Sequence, residues 1–368
     1  MSHWYELKNS HEIPSPALIV YPDRIIRNLQ QMIHLVGDVQ KLRPHVKTHK
    51  MAEVVRLKRE LGIDKFKTST IAEAEMTAAA GGRDILLSYQ PTGPNVDRLL
   101  QLIRRFPETR FSTIVDDPGC VDALGLAATE AGIEIPLYVD LDVGMGRTGI
   151  TPGDAALALC ERIVARGGVR LAGLHAYDGH LHTKDAQLLE QQAADAFEKV
   201  ITLRDRLHEK GIEIERIIAS GTPTFPLTAK HSDVEVGCGT TVLWDYGQPQ
   251  HNPEMGFVNA AVLLCRVISR PGENRLTIDL GHKAVASEMP HPRVMFFGLE
   301  EARPVIHSEE HFTLETPLAG SYQVGDVVYG IPTHICPTVA LHEQAWVARE
   351  GQAQEQWAVI ARRRKITI

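Results

Sequence analysis

The 368 residues carry 39 Lys plus Arg against 46 Asp plus Glu, a formal charge of −7, with 43% hydrophobic and 23% charged residues. That balance suits a folded chain with a full core, built as one large domain or two ordinary ones, and it excludes disordered, collagen-like and disulfide-scaffold classes. A mildly acidic chain without a basic stripe has no footprint for nucleic acid, and the longest apolar run, about six residues at 260–265, is far short of the roughly 20 that span a bilayer.

Five scattered cysteines (Cys120, Cys160, Cys238, Cys265, Cys336) without a CxxC pair fit a reducing compartment. The start, Met-Ser-His-Trp-Tyr-Glu-Leu-Lys, has no apolar signal core, so a soluble cytoplasmic protein that contacts no membrane is expected.

From residue 17 to about 245, short β-branched runs alternate with longer amphipathic stretches. Strands are expected at 41–47, 65–69, 84–89, 111–116, 135–143, 169–177, 215–220 and 233–238. Helices open near Pro22, Met51, Ile71, Pro94, Asp117, Pro152, Lys184 and Pro223, several with Pro or Asp close to the first turn. Eight strands that each adjoin a helix predict an α/β chain folded as a closed (β/α)8 TIM barrel over 15–246. No GxGxxG follows an early strand, which disfavours an open doubly wound sheet. After Gly247 the texture changes to short strands at 257–267, 275–279, 294–298 and 327–331, with 357–368 as a last strand and Arg362–Lys365 as its solvated end. Residues 1–14 and 247–368 therefore form a second, mostly antiparallel β domain, to which 1–14 add a strand.

Active-site groups of such a barrel sit where strands end. Strand one ends at Lys47, strand five runs into the Gly-rich loop bearing Arg147, and strand six ends at His175-Ala176-Tyr177-Asp178-Gly179-His180. Strands seven and eight end in small-residue turns, Ser220-Gly221-Thr222 and Gly239-Thr240, whose backbone N–H groups can approach an anion. A lysine at a barrel mouth that faces a phosphate site implies pyridoxal 5'-phosphate, whose aldehyde needs an amine. Arg147 cannot lose its proton and would leave a neighbouring pyridine nitrogen unprotonated. His334 and Cys336, two apart on an extended segment, point the same way and could share a divalent metal.

With the segment Arg43-Pro-His-Val-Lys-Thr-His-Lys50, the two small-residue turns and His334-x-Cys336 in this order, the whole chain resembles the D-threonine aldolase and eukaryotic-type D-serine dehydratase family. The resemblance implies a barrel like the N-terminal domain of alanine racemase plus a β domain, and a pyridoxal-phosphate enzyme. It implies Lys47 as the lysine that carries the cofactor, Arg147 as the pyridine-nitrogen partner and Tyr177 beside the cofactor. It further implies Ser220, Gly221, Thr222, Gly239 and Thr240 as the phosphate cup, and His334 and Cys336 as ligands of Zn or Mn. His180 and His182 compete for the base. A D-threonine aldolase places a histidine slightly further on, where this chain has Thr183. The dehydratase branch pairs His with Cys around zinc, whereas some aldolases use a carboxylate and manganese.

The expected activity is a lyase acting on a small D-3-hydroxy amino acid, as a homodimer. Retro-aldol cleavage to glycine and an aldehyde leads, and dehydration to a 2-oxo acid and ammonia is the alternative. Racemisation would need a second base and no metal, and a non-catalytic pyridoxal-phosphate carrier would need no metal-bearing domain.

Overall fold

In chain order the strands are β1 (Ala17–Val20), β2 (Lys65–Thr68), β3 (Asp84–Leu87), β4 (Arg110–Val115), β5 (Ile135–Leu141), β6 (Val169–Ala176), β7 (Arg216–Ala219) and β8 (Val234–Val236), followed by β9 (Ala261–Gly272), β10 (Arg275–Ile278), β11 (Val294–Phe296), β12 (Arg303–His307), β13 (Phe312–Glu315), β14 (Val327–Pro332), β15 (Gln344–Arg349) and β16 (Gln352–Ala358). The computed structural model describes residues 3–250 and 253–368. Residues 1, 2, 251 and 252, which the sequence assigns to the β domain, lie outside the described residues. Among the described residues no helix is long and apolar enough to cross a membrane. Two units separate: Met32–Lys47, Ala52–Gly239 and Arg363–Ile368 form one, and residues up to Gln31, Thr48–Met51 and Thr240–Arg362 form the other.

In the first unit β2 to β8 make a seven-stranded parallel sheet in sequence order. Segment 42–46 closes it. Arg43 N–H donates to Val236 O and His45 N–H to Cys238 O on one side, while on the other Val46 N–H donates to Lys67 O and Pro44 O accepts the Lys67 N–H. The expected first strand is thus the eighth stave of the barrel, present only as isolated bridges because Pro44 has no N–H for a ladder. Strands alternate their side chains with period two, so layers form inside. At one end Arg43, fully buried, reaches Asp84 at 2.7 Å and Glu235 at 2.6 Å, and Lys65 joins Glu235 at 2.6 Å. Leu86, Ile114, Tyr138, Ala172 and Ile218 form an apolar cluster. Lys67, Asp140 and His175, two residues after Lys65, Tyr138 and Gly173 on their own strands, line a cavity.

In the second unit the sheet runs β12-β13-β10-β9-β1-β15-β16, with β14 pairing both β9 and β11. All pairs are antiparallel except β1 with β15. Three expectations need correction. The N-terminal strand of this sheet is Ala17–Val20, not a stretch of 1–14, whose described part holds only the turn Ser10–Glu12. Four consecutive buried apolar residues make a central strand covered on both faces, so the barrel does not begin at 15. The C-terminus is the third difference. β16 ends at Ala358, the turn Ile360–Arg362 follows, and Arg363–Ile368 leave the sheet. In the barrel unit Arg98 donates to Arg364 O at 3.0 Å and Ile368 O at 2.8 Å, and Glu75 accepts the Thr367 N–H at 3.1 Å. Strand β12 escapes sequence reading because Pro304 and the charge beside it interrupt its alternation, and β13 and β15 also lie outside the expected strands.

Candidate active site

A cavity of about 390 Å³ in the barrel unit is lined by Lys47, Lys67, Asp140, Arg147, His175 and Tyr177, among others. Three of these, Lys47, Arg147 and Tyr177, are sequence expectations, and the structure brings them together. The Tyr177 ring gathers the cations: Lys47 Nζ lies 5.8 Å from its centroid, Lys67 Nζ 5.3 Å and Arg147 Cζ 5.0 Å. Lys47 is half-buried, and its own N–H donates to His45 Nδ1 at 3.2 Å while Ser69 Oγ lies 3.0 Å from His45 Nε2.

The Ser220-Gly221-Thr222 turn does not line this cavity. Ser220 adopts φ +74°, a left-handed conformation rare for a residue with a side chain, and its buried Oγ has no hydrogen-bond partner. Gly221 N–H already donates to Asp178 Oδ1 at 2.6 Å, and a Cβ at Gly221 would meet the Tyr177 ring at 3.2 Å. Burial pushes the Asp178 carboxyl up, against its hydrogen bonds from Thr224 and Gly221. Gly239 N–H reaches Thr222 Oγ1 only at 3.4 Å. An orphaned hydroxyl in a left-handed turn and a weakly used N–H are chemistry that suits an anion, so these residues fit a cofactor phosphate.

His180 and His182 separate clearly. His182 is exposed. His180 is half-buried with its Nδ1 enclosed and unpartnered, and its Nε2 sits 2.7 Å from where a Cβ on Gly144 would be. Gly144, at φ +136°, therefore makes room for His180 against the loop that carries Arg147. Neither histidine lines the cavity.

The sequence places His175 in the end of strand six without a role for it, and does not single out Lys67 or Asp140. Lys67 on β2, and Asp140 with His175 on β5 and β6, share the parity of Ser69, Asp142 and Tyr177, and that parity was the available signal. His175 Nδ1 lies 2.6 Å from Asp140 Oδ1, and Thr148 donates to Asp140 Oδ2 at 3.0 Å. Burial lowers the His175 pKa, with the Lys67 charge adding to it, whereas His175 and Thr148 hold the Asp140 carboxyl low against its desolvation. A neutral imidazole beside an ionised carboxylate carries its proton on Nδ1, which leaves Nε2 a bare acceptor.

In the other unit His334 and Cys336 do not lie on an extended segment. β14 ends at Pro332, His334 is the N-cap of the helix Ile335–Leu341, and Cys336 stands in its first turn. Asp245 fixes that start by accepting the Ile335 N–H at 2.9 Å, and burial raises its own pKa to about 6. His334 Nδ1 lies 2.6 Å from Glu288 Oε1, another residue not singled out from sequence. Against burial, which lowers it, Cys336 and Glu288 raise the His334 pKa to about 9. Cys336 Sγ lies 3.1 Å from Oγ1 of Thr48, the residue after Lys47, and 3.7 Å from Thr240 Oγ1. Among the described residues no group of three or more His, Cys, Asp or Glu side chains is arranged to hold a metal ion. The donor chemistry nonetheless fits one: with its Nδ1 on a carboxylate, His334 would offer Nε2 as the ligand atom once deprotonated there, beside the Cys336 thiol.

Comparison with known proteins is consistent along the chain. Residues 20–244 match the family described as alanine racemase, N-terminal domain, and residues 260–348 that described as putative serine dehydratase domain. The chain is 30% identical over 330 residues to D-threonine aldolase of Arthrobacter sp., covering 87% of this chain and 85% of that protein. It is 28% identical over 370 residues to 3-hydroxy-D-aspartate aldolase of Paracoccus denitrificans (strain Pd 1222), covering 95% and 92%. The crystal structure of D-threonine aldolase from Filomicrobium marinum matches with a TM-score of 0.86 at 28% identity, over 97% of this chain and 98% of that one.

Proposed function

We propose, for a chain that belongs to the alanine-racemase-fold family of D-threonine aldolases and D-serine dehydratase-like proteins, and is thereby a pyridoxal-phosphate-dependent lyase, that its reaction is the cleavage of D-threonine or a close D-3-hydroxy amino acid to glycine and an aldehyde. The observation that carries this reading is the 30% identity to D-threonine aldolase across 87% of the chain.

Lys47 Nζ would carry the cofactor and give way to the substrate amine. Ser220 Oγ and the backbone N–H groups of Thr222 and Gly239 would hold the phosphate, with Gly221 kept rigid by Asp178 and Thr240 completing the turn. When bound, pyridoxal phosphate supplies an electron sink for the pair left at Cα as the Cα–Cβ bond breaks. His180 would take the β-hydroxyl proton, so that the hydroxyl oxygen becomes the aldehyde oxygen. His334 Nε2 and Cys336 Sγ would hold a divalent metal, zinc or manganese, which when bound would supply a charge that acidifies a hydroxyl coordinated to it.

The second reading, a dehydratase that yields a 2-oxo acid and ammonia, is favoured by the His–Cys pair and by the match of 260–348 to the putative serine dehydratase domain. Incubation with D-threonine and D-serine in Zn²⁺ or Mn²⁺ separates the two. Glycine and acetaldehyde support the aldolase, and pyruvate or 2-oxobutyrate with ammonia replaces it by the dehydratase.

A further inference from the structure

Lys67 projects into the cavity from β2, is 4% exposed, and forms no salt bridge or hydrogen bond through its ammonium among the described residues. Lys47 and Arg147 press on it with like charge, and Asp140 and Asp178 attract it only from a distance. A buried cation without a contacting counter-group is costly to a fold. Space has nevertheless been kept for it: Gly237 on the turn after β8 would, with a Cβ, stand 3.4 Å from Lys67 Cδ and 3.6 Å from Nζ.

A second observation points to a ligand. His175, 3% exposed, lines the same cavity, and its Nε2 is buried with no partner. The Asp140 contact fixes that atom as an acceptor. The cavity therefore holds beside Lys47 a hydrogen-bond donor and an acceptor to which, apart from the Tyr177 ring that faces Lys67, the fold gives no partner. Ser220, Thr222 and Gly239, which fit the phosphate, do not line it.

We propose that Lys67 is a cofactor-contacting residue that donates a hydrogen bond to a heteroatom of the cofactor's aromatic ring system, the ring nitrogen or the phenolic oxygen, and not to its phosphate. This rests on the pyridoxal-phosphate reading above. Arg147, exposed on its loop, then acts at the rim, and Lys67 is the buried donor. The Asp140–His175 pair is a positioning element that offers Nε2 to a second Lys67 N–H.

The test uses the full chain, stripped of cofactor and titrated with pyridoxal phosphate and, separately, with pyridoxal, which lacks the phosphate. In Lys67→Met the dissociation constants for both rise at least about tenfold, as loss of a charged hydrogen bond requires. The absorbance maximum of the bound cofactor shifts, and the melting temperature of the cofactor-free protein does not fall. Lys67→Gln, which keeps a polar tip, serves where the Met variant does not fold. Unchanged constants and an unmoved band in a folded variant overturn the proposal. A loss confined to pyridoxal phosphate, with pyridoxal binding and the band unaltered, also overturns it and moves Lys67 to the phosphate. A wild type that takes up no cofactor sinks the underlying reading and this inference together.

Discussion

His175 meets Asp140 because the strand between them is out of step. The β5–β6 ladder pairs Leu137 with Leu171 and then Tyr138 with Gly173, so Ala172 is bulged out and Asp140 falls opposite His175. Continued in the first register, His175 would stand opposite Leu141, and the 2.6 Å contact could not form. Gly173 permits the bulge: a Cβ there would lie 1.9 Å from Arg216 O on β7. A glycine thus sets the register that puts a bare imidazole nitrogen in the cavity.

Gly173→Ala should accordingly cost ~1–3 kcal/mol or more of stability, since a backbone carbonyl cannot move aside as a side-chain tip can. It should also weaken cofactor binding by displacing His175. Chemical unfolding and cofactor titration read the two effects, and a variant as stable as wild type would show that β7 yields easily.

Lys47→Ala should abolish covalent attachment of the cofactor. Borohydride reduction of wild type followed by peptide mapping should place the label on Lys47, because its amine shares a cavity with Arg147 and Tyr177. A label on Lys67, the other lysine of that cavity, would reverse the roles of the two.

The residues that end strands were legible, for barrel chemistry sits there and the end of a strand can be read from its turn residues. Lys47, Arg147 and Tyr177 were found in this way. Lys67 was not, and His175 was legible only as part of the strand-six end, because a polar residue inside a short parallel strand has no turn beside it to mark its role, and only the period-two relation to Ser69 and Tyr177 gives it away. The closing stave 42–46 could be read as a strand but not as a broken one, since nothing local says that Pro44 falls between two sheet edges. The sheet carrying His334 was least legible. Its centre pairs β1 with β9 and β15, elements far apart in sequence, and Glu288 reaches His334 across 46 positions.

If cleavage is of the aldol type, one histidine after strand six carries the hydroxyl proton. Loss of a positioned general base costs ~10²–10⁴ in rate. His180→Gln should show that loss and His182→Gln a mild one, since His180 Nδ1 is enclosed while His182 is exposed. Rates are followed as glycine formed from D-threonine. The reverse ranking would transfer the role to His182, and near-full rates in both, with a 2-oxo acid as product, would establish the dehydratase.

Turnover should require a divalent metal at His334 and Cys336. Exhaustive chelation is expected to stop the reaction while the cofactor absorbance persists, because Lys47 and the Ser220 turn need no metal. Glu288→Gln should weaken metal affinity about 10–100-fold, the usual consequence of removing a carboxylate that orients a ligand histidine. Calorimetric titration with Zn²⁺ measures this directly. A reaction indifferent to chelation would leave the pair with a structural role at the start of the helix Ile335–Leu341.

The last expectation is a pH dependence of stability in the cofactor-free protein. Burial first, then the Lys47 charge, lowers the Lys67 pKa from 10.5 to about 7. The unfolded chain therefore binds one more proton than the folded one between about pH 7 and 10.5, so stability rises with pH across that window. The penalty is fully present below the folded value and vanishes above the unfolded one. At about 1.4 kcal/mol per pKa unit, the penalty near neutrality is on the order of a few kcal/mol. Lys67→Met removes the titrating group, so the variant should be more stable than wild type at pH 7, and the gap should narrow as the pH is raised to 9. Urea unfolding of both proteins at the two pH values measures it. A gap that does not change with pH would mean that Lys67 is charged in the folded protein throughout, held by a partner within the barrel.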